Sequence, residues 1–479
     1  MITKKQLALI LGPLLWLTLL LLGFTIWPKF ALQLSMAGIL CWMLPWWITQ
    51  AAPLGITSLL PMVLYPLCGI LDLKATTANY ANPIIYLFFG GFVLGIALER
   101  WNLHRRIALN ILKLSGDSPQ RIVLGSMLAT ALLSMWISNT ATAVMMLPIG
   151  MSVVGLLSKQ LENPKAATNF GLAVMLGIAY AANLGGMTTL IGTPPNLVLA
   201  GLLSESAGVN LGFATWLYFA LPLVAVLFIL VFQLNTKLLF PIRVKKVPGA
   251  LELISKSLKD LGAISSTEKR VLMVVSATAL LWIFRAQITQ IALFENVSDP
   301  MIAILAAIVL FVVPAEKNEE QKSLLVWEDM QKMPWGILLL FGGGISLAKG
   351  MEATNLVALV GNWINSLDLN SLLVLTLVIT LFAVFLTEVM SNVALVSVFI
   401  PVSFVIATAF QVSELALAIP LTLGASCAFM FPISTPPNAI VFSSGYIRMD
   451  QMAKAGIWLN LLSVILISLY CYWLIPVFF

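Results

Sequence analysis

Apolar runs of membrane-spanning length follow one another along almost the whole 479-residue chain, from residues 7–27 at one end to 456–478 at the other. A hydrocarbon core of roughly 30 Å takes about 20 helical residues to cross. Inside it, every backbone N–H and C=O must find a partner within the protein, which leaves helices or a closed barrel. The runs are continuous instead of alternating over about ten residues, so the chain reads as helical. With 60% hydrophobic and 10% charged residues, there is too little polar side chain to coat a water-soluble domain.

Eleven spans are expected near residues 7–27, 33–50, 54–71, 83–98, 170–200, 211–236, 270–293, 299–314, 334–350, 414–443 and 456–478. Two further stretches, 121–157 and 370–410, are each too long for one helix and too short for two full spans with a loop; they read as re-entrant hairpins. The first run follows Lys4 and Lys5 as a leader would, but it lacks a small-residue cleavage site and is expected to stay as a first span.

The formal charge of +6 would suggest nucleic acid in a soluble protein. Here it is expected to follow the positive-inside rule, with lipid and no nucleic acid as partner. With the N-terminus inside, Arg100, Arg105, Arg106, Arg121, Lys159, Lys165, Arg243, Lys245, Lys246, Lys256, Lys259, Lys269, Lys322 and Arg448 all fall on cytoplasmic connections, and the outer loops keep chiefly Lys29 and Lys74. The four cysteines, Cys41, Cys68, Cys427 and Cys471, and the single histidine, His104, show no metal-ligand spacing, which argues against zinc and redox chemistry. A membrane-embedded enzyme would need Asp, Glu or His clustered at an interface, and these are missing. A channel would need an open polar pore, which two hairpins meeting at midplane would occlude.

The two halves repeat. Ser138-Asn139 recurs as Ser391-Asn392 and Pro148 as Pro401, both at an offset of 253 residues. Phe89-Gly90-Gly91 recurs as Phe341-Gly342-Gly343 at 252, and Thr193-Pro194-Pro195-Asn196 as Thr435-Pro436-Pro437-Asn438 at 242. An odd number of crossings separates the copies, so the second is inverted, an arrangement typical of secondary transporters. The division is therefore a first span at 1–32, a first repeat at 33–236 with hairpin 121–157 and broken helix 170–200, a cytoplasmic linker at 237–269, and an inverted repeat at 270–479 with hairpin 370–410, broken helix 414–443 and a final span.

Chemistry is expected at the hairpin tips and helix breaks. Ser138-Asn139-Thr140 and Ser391-Asn392-Val393 lie at the tips, where they can cap the second arm of each hairpin and leave free N–H groups that favour an anion. A lone Ser-Asn-Thr is as readily a capped turn without ligand, and a single Pro-Pro a simple kink; the symmetric pairs favour a site. Each Thr-Pro-Pro-Asn should interrupt its helix near Gly192 and Ser434 and restart it with Thr193 or Thr435 as cap and Pro at the first helical position, exposing carbonyls to a hard cation. Neither tip carries Lys or Arg, so bound cations would be needed to complete a dianion site, and sodium coupling follows as an expectation. Glu388, beside the second tip, either tunes charge or couples protons, or is a carboxylate hydrogen-bonded to hairpin backbone.

These residues resemble the divalent anion:sodium symporter family, the INDY-type carriers of dicarboxylates, citrate and sulfate. The likeness runs from Gly55-Ile56-Thr57-Ser58-Leu59-Leu60-Pro61 to Asn438-Ala439-Ile440-Val441-Phe442. It implies an all-α polytopic protein of about eleven transmembrane helices plus two hairpins, working as a homodimer of elevators, with Na+ as coupling ion. It also implies one sodium site from Ser134, Ser138, Asn139 and Gly192, and a second from Thr387, Met390, Asn392 and Ser434, Met390 giving only its carbonyl. Substrate contacts fall by the same matching on Ser138, Asn139, Thr140, Thr193, Ser391, Asn392 and Thr435. Val393 departs from the motif, which has Thr there, and removes a hydroxyl from the pocket. The function expected is sodium-coupled import of a C4 dicarboxylate such as succinate, malate or fumarate across the inner membrane; a sodium-independent exchanger and a sulfate or citrate carrier are the alternatives.

Overall fold

The computed structural model describes residues 4–158, 164–242, 246–316, 323–356 and 371–479. Lys159, Arg243, Lys245, Lys322 and the first residue of the 370–410 hairpin lie outside them. Among the described residues all regular structure is helical: α1 (Lys4–Thr25), α2 (Ala31–Thr49), α3 (Leu54–Thr57), α4 (Leu60–Cys68), α5 (Leu73–Ala78), α6 (Pro83–Arg100), α7 (Leu103–Ser115), α8 (Pro119–Ser134), α9 (Asn139–Ser158), α10 (Pro164–Thr188) and α11 (Pro194–Ser206) make up the first part. Then come α12 (Phe213–Gln233), α13 (Ala250–Asp260), α14 (Ser266–Ile283), α15 (Arg285–Ile288), α16 (Asp299–Val312), α17 (Trp335–Ala353), α18 (Leu372–Leu386), α19 (Asn392–Ala409), α20 (Leu415–Ala425), α21 (Pro436–Phe442) and α22 (Met449–Phe478). Nine helical stretches among these residues are long and apolar enough to cross a bilayer.

Several apolar runs differ in detail from simple spans. Residues 54–71 form two helices, α3 and α4, because the Ser58 hydroxyl donates back to the Leu54 carbonyl (2.6 Å) and Pro61 has no N–H to continue the ladder. The Ser58 carbonyl at this break accepts from the Tyr80 hydroxyl, so its polarity is satisfied inside the protein. The run at 270–293 leaves its helix at Ile283, just before the charged Arg285. Two helices, α7 and α13, carry mixed polar and apolar residues and do not span; α13 lies within the segment read as a linker, and α14 begins inside it, at Ser266. Arg106 on α7 ties this region together, its Nε 2.7 Å from Glu268 and its guanidinium donating to the Gly262 carbonyl (2.9 Å). His104 is spent locally, with Nδ1 2.9 Å from the Leu98 carbonyl, and burial holds its pKa below the ordinary value.

The chain turns between α8 and α9 and again between α18 and α19, and breaks between α10 and α11 and between α20 and α21. α10 packs on both arms of the first hairpin, and α20 on both arms of the second. The halves interlock where α10 and α9 meet α21, and where α11 meets α19. The apolar window of α10 is wholly buried, so its surface meets protein on all sides and small residues let neighbours approach closely. Gly185 sits with its Cα against the Ala131 backbone of α8, and an added Cβ would collide with the Ala131 carbonyl. Gly185→Ala is expected to destabilise the fold by about 1–3 kcal/mol, the range typical of overpacking, read as a lower melting temperature in detergent; an unchanged melting temperature would refute this close packing.

Candidate functional site

The first tip is built from the end of α8. Ser138 accepts from the Ala141 N–H (3.1 Å), capping α9 with its side chain. Asn139 is held from behind: its Oδ1 accepts from the Ser134 hydroxyl (2.5 Å), which is also 2.8 Å from the Ala182 carbonyl. Gly186 faces the same amide so closely that a Cβ there would lie 2.5 Å from Asn139 Oδ1. A Cβ on Gly192 would lie 2.6 Å from the Gly186 carbonyl and 3.0 Å from that of Ser134. The Ser134 hydroxyl and carbonyl, the Asn139 amide oxygen and the Gly186 carbonyl are thus gathered around Gly186 and Gly192, neutral oxygens of the kind suited to a hard monovalent cation.

The second tip differs. Ser391 occupies the cap position of α19 without a side-chain cap bond; instead Asn392 Oδ1 takes the Val393 N–H (2.8 Å). The capping expected of Ser391 is thus displaced to its neighbour, and among the described residues the serine hydroxyl makes no cap bond. Thr387 donates to the Ala425 carbonyl at the end of α20 (2.7 Å), and Ser434 to the Phe431 carbonyl (2.6 Å). Met390 is buried.

The helix breaks share one device. α10 ends at Thr188 and α11 starts at Pro194; α20 ends at Ala425 and α21 starts at Pro436. Thr193 and Thr435 stand at the cap positions in extended conformation, and neither hydroxyl makes a cap bond. The Asn of each Thr-Pro-Pro-Asn closes its break instead. Asn196 Nδ2 reaches the Gly186, Met187 and Thr189 carbonyls (3.3, 3.1 and 2.8 Å), and Asn438 Nδ2 the Ala428 and Phe431 carbonyls (3.0 and 3.1 Å) and Ser434 Oγ (3.0 Å). Thr189 adds a bond from its hydroxyl to the Met135 carbonyl of the first tip (2.6 Å).

These elements surround one cavity of about 700 Å³. Ser138, Asn139, Thr140, Gly192, Thr193, Ser391, Asn392, Val393 and Thr435 all line it. Ser134, Thr387, Met390 and Ser434 do not; they are buried. Asn183, near the C-terminal end of α10, also lines it and bridges the halves, with Nδ2 3.1 Å from the Ala428 carbonyl and 3.4 Å from Thr435 Oγ1. Sequence reading passed over Asn183, although an amide inside the small apolar run Ala181-Ala182-Asn183-Leu184-Gly185 is the signal that finds it. The residues expected to form the site include no Lys or Arg, but the same cavity wall also carries Lys332, together with Glu99, which the sequence did not single out. No local motif marked it, since only the packing of α17 beside α6 brings it there.

Glu388 is buried against the second break. Its Oε1 accepts from the Phe429 N–H (2.7 Å), the Met430 N–H (2.9 Å) and Asn460 Nδ2 (2.8 Å), and Oε2 from the Phe431 N–H (3.1 Å). A carboxylate is the side chain that can accept all four donors at once.

The chain matches the family described as the sodium:sulfate symporter transmembrane region over residues 17–479. It is 41% identical over 476 residues to the sodium-dependent dicarboxylate transporter SdcS of Staphylococcus saprophyticus, covering 98% of this chain and 91% of that protein. It is 40% identical over 479 residues to SdcS of Staphylococcus aureus strain MRSA252, covering 99% and 92%. Among solved structures, MtrF of Neisseria gonorrhoeae, described as an antimetabolite efflux pump, aligns at TM-score 0.52 and 14% identity over 84% of this chain and 83% of that one. The YdaH transporter of Alcanivorax borkumensis, described as having an unusual topology, aligns at 0.53 and 16% over 84% and 89%. At that identity the two structures speak for the fold alone.

Proposed function

The chain belongs to the sodium:sulfate symporter family of membrane transporters, not to an enzyme family, and from that premise we propose that it imports a C4 dicarboxylate with sodium. The observation that carries this reading is the convergence on one cavity of two hairpin tips and two helix breaks, all presenting neutral oxygens and N–H groups. A dianion among neutral groups is poorly compensated, and cations held behind the tips would supply the missing charge. Ser134, Ser138, Asn139 and Gly192 are the proposed first sodium site; Thr387, Met390, Asn392 and Ser434 are the second. Substrate is proposed to meet Ser138, Asn139, Thr140, Thr193, Ser391, Asn392 and Thr435. The relatives named as sodium-dependent dicarboxylate transporters support both the ion and the class of substrate.

In this reading the protein lies in the bacterial inner membrane with its N-terminus in the cytoplasm, forms a homodimer, and moves the hairpins and broken helices as an elevator past α2–α6 and α14–α17. The cavity reaches Glu99 and Lys332, at the end of α6 and just before α17. At the opposite ends of those helices, Lys349 pairs with Glu205 of α11, and Asn82 donates to the same carboxylate (3.0 Å). That contact is consistent with a closed outer face and a cavity open to the cytoplasm.

Labelled succinate should accumulate in proteoliposomes given an inward sodium gradient and not when potassium replaces sodium. Uptake that needs only internal succinate would make the protein an exchanger, and failure with succinate but success with sulfate or citrate would reassign the substrate.

A further inference from the structure

We propose that Lys332 guides the dianion at the cytoplasmic mouth of the cavity and acts from that side only. This rests on the carrier reading above. Glu99 and Lys332 are the charged side chains on a wall otherwise made of apolar groups, hydroxyls, amides and backbone. Lys332 is an exposed residue at the end of a short helical turn, Trp327–Lys332, and contributes to the cavity wall from a position open to water. The neighbouring cation Arg100 is paired with Asp329 on the same turn, whereas among the described residues no carboxylate lies within ion-pairing distance of Lys332.

The geometry gives this charge a specific place in the cycle. The binding groups sit on α9, α10, α11, α19 and α21, while Lys332 belongs to the segment leading into α17. If the tips move and α17 stays, the dianion meets Lys332 only while the cavity faces the cytoplasm. Apolar walls of low dielectric focus the field of a cation, raising the local concentration of a dianion and hence its rate of entry from that side. Glu99, on the same wall, offsets part of this attraction and keeps it from becoming a trap, so that release into the cytoplasm is not blocked.

The test is succinate transport in right-side-out and everted membrane vesicles, carrying the unmodified chain, K332Q or K332R, at low and physiological ionic strength. For K332Q the KM measured from the cytoplasmic face should rise at least threefold while the KM from the outer face is unchanged; K332R should restore it, and the gap should narrow as salt rises. Equal changes on both faces, or none on either, would overturn this role for Lys332 and leave the carrier reading standing. If the unmodified chain carries no succinate from either face, the carrier reading fails first, and the role of Lys332 falls with it.

Discussion

Asn139→Ala and Asn392→Ala are each expected to reduce transport at least a hundredfold while leaving the protein in the membrane at normal abundance. Both amides line the cavity and sit at the tips of separate hairpins. Asn139 holds the Ser134 hydroxyl, and Asn392 accepts the Val393 N–H in the first turn of α19. In the proposed site each serves cation and dianion together, so alanine removes a ligand from both. Losing one hydrogen bond to a charged group costs about 1.5–3 kcal/mol, and two such losses at one residue account for a hundredfold. The surrounding packing is little altered, because the exposed face of each amide meets the cavity. The check is sodium-driven succinate uptake normalised to the amount of membrane-inserted protein; near-normal uptake by both variants would remove the tips from the site.

Glu388→Ala should cripple the fold instead of the affinity. The carboxylate accepts four donors, three of them successive backbone N–H groups, Phe429 to Phe431. Alanine leaves four donors without this acceptor, two buried and two half-buried, at up to about 1–3 kcal/mol each, a large loss against the stability of many domains. Glu388→Gln keeps the oxygen that serves three of them but sets an amide N–H against the fourth, so a milder drop in melting temperature is expected. A carboxylate already engaged by four donors is doing the work of an anchor, and sodium-driven uptake by the unmodified protein should be indifferent to a protonophore. Wild-type melting behaviour in E388A, or collapse of uptake with the protonophore, would restore the proton-coupling reading.

Much of this was legible in the sequence because bilayer physics writes large signals. Apolar length gave the helices and the two hairpins, and the recurrence of Ser-Asn and Thr-Pro-Pro-Asn picked out the two tips and two breaks that the structure places around one cavity. Proline at the first helical position fixed where α11 and α21 restart. What stayed hidden depends on packing between distant segments. At the break within 54–71, the Tyr80 hydroxyl that satisfies the Ser58 carbonyl comes from across the fold. The missing cap at Ser391 reflects a choice between adjacent side chains for one N–H, which residue type alone does not decide. Lys332 reaches the cavity only through the placement of α17, and the closing role of Asn196 and Asn438 is visible only when the unwound carbonyls are located.

The seam between the halves bears on how such a protein is made. Tyr180 donates to the Phe429 carbonyl (3.0 Å), and Asn183 reaches Ala428 and Thr435, across sequence separations of 249, 245 and 252 residues. At a synthesis rate of roughly 5–20 residues per second, about 12 to 50 s pass between the emergence of α10 and that of its partners. During that interval the first helix break sits in lipid or beside the insertion machinery with half of its site unmade. Asn196, bonding carbonyls only 7 to 10 residues upstream, satisfies the unwound stretch from within the nascent first half. Each repeat thus carries its own temporary means of surviving alone, and ribosome pausing between the halves should be tolerated so long as that asparagine is in place.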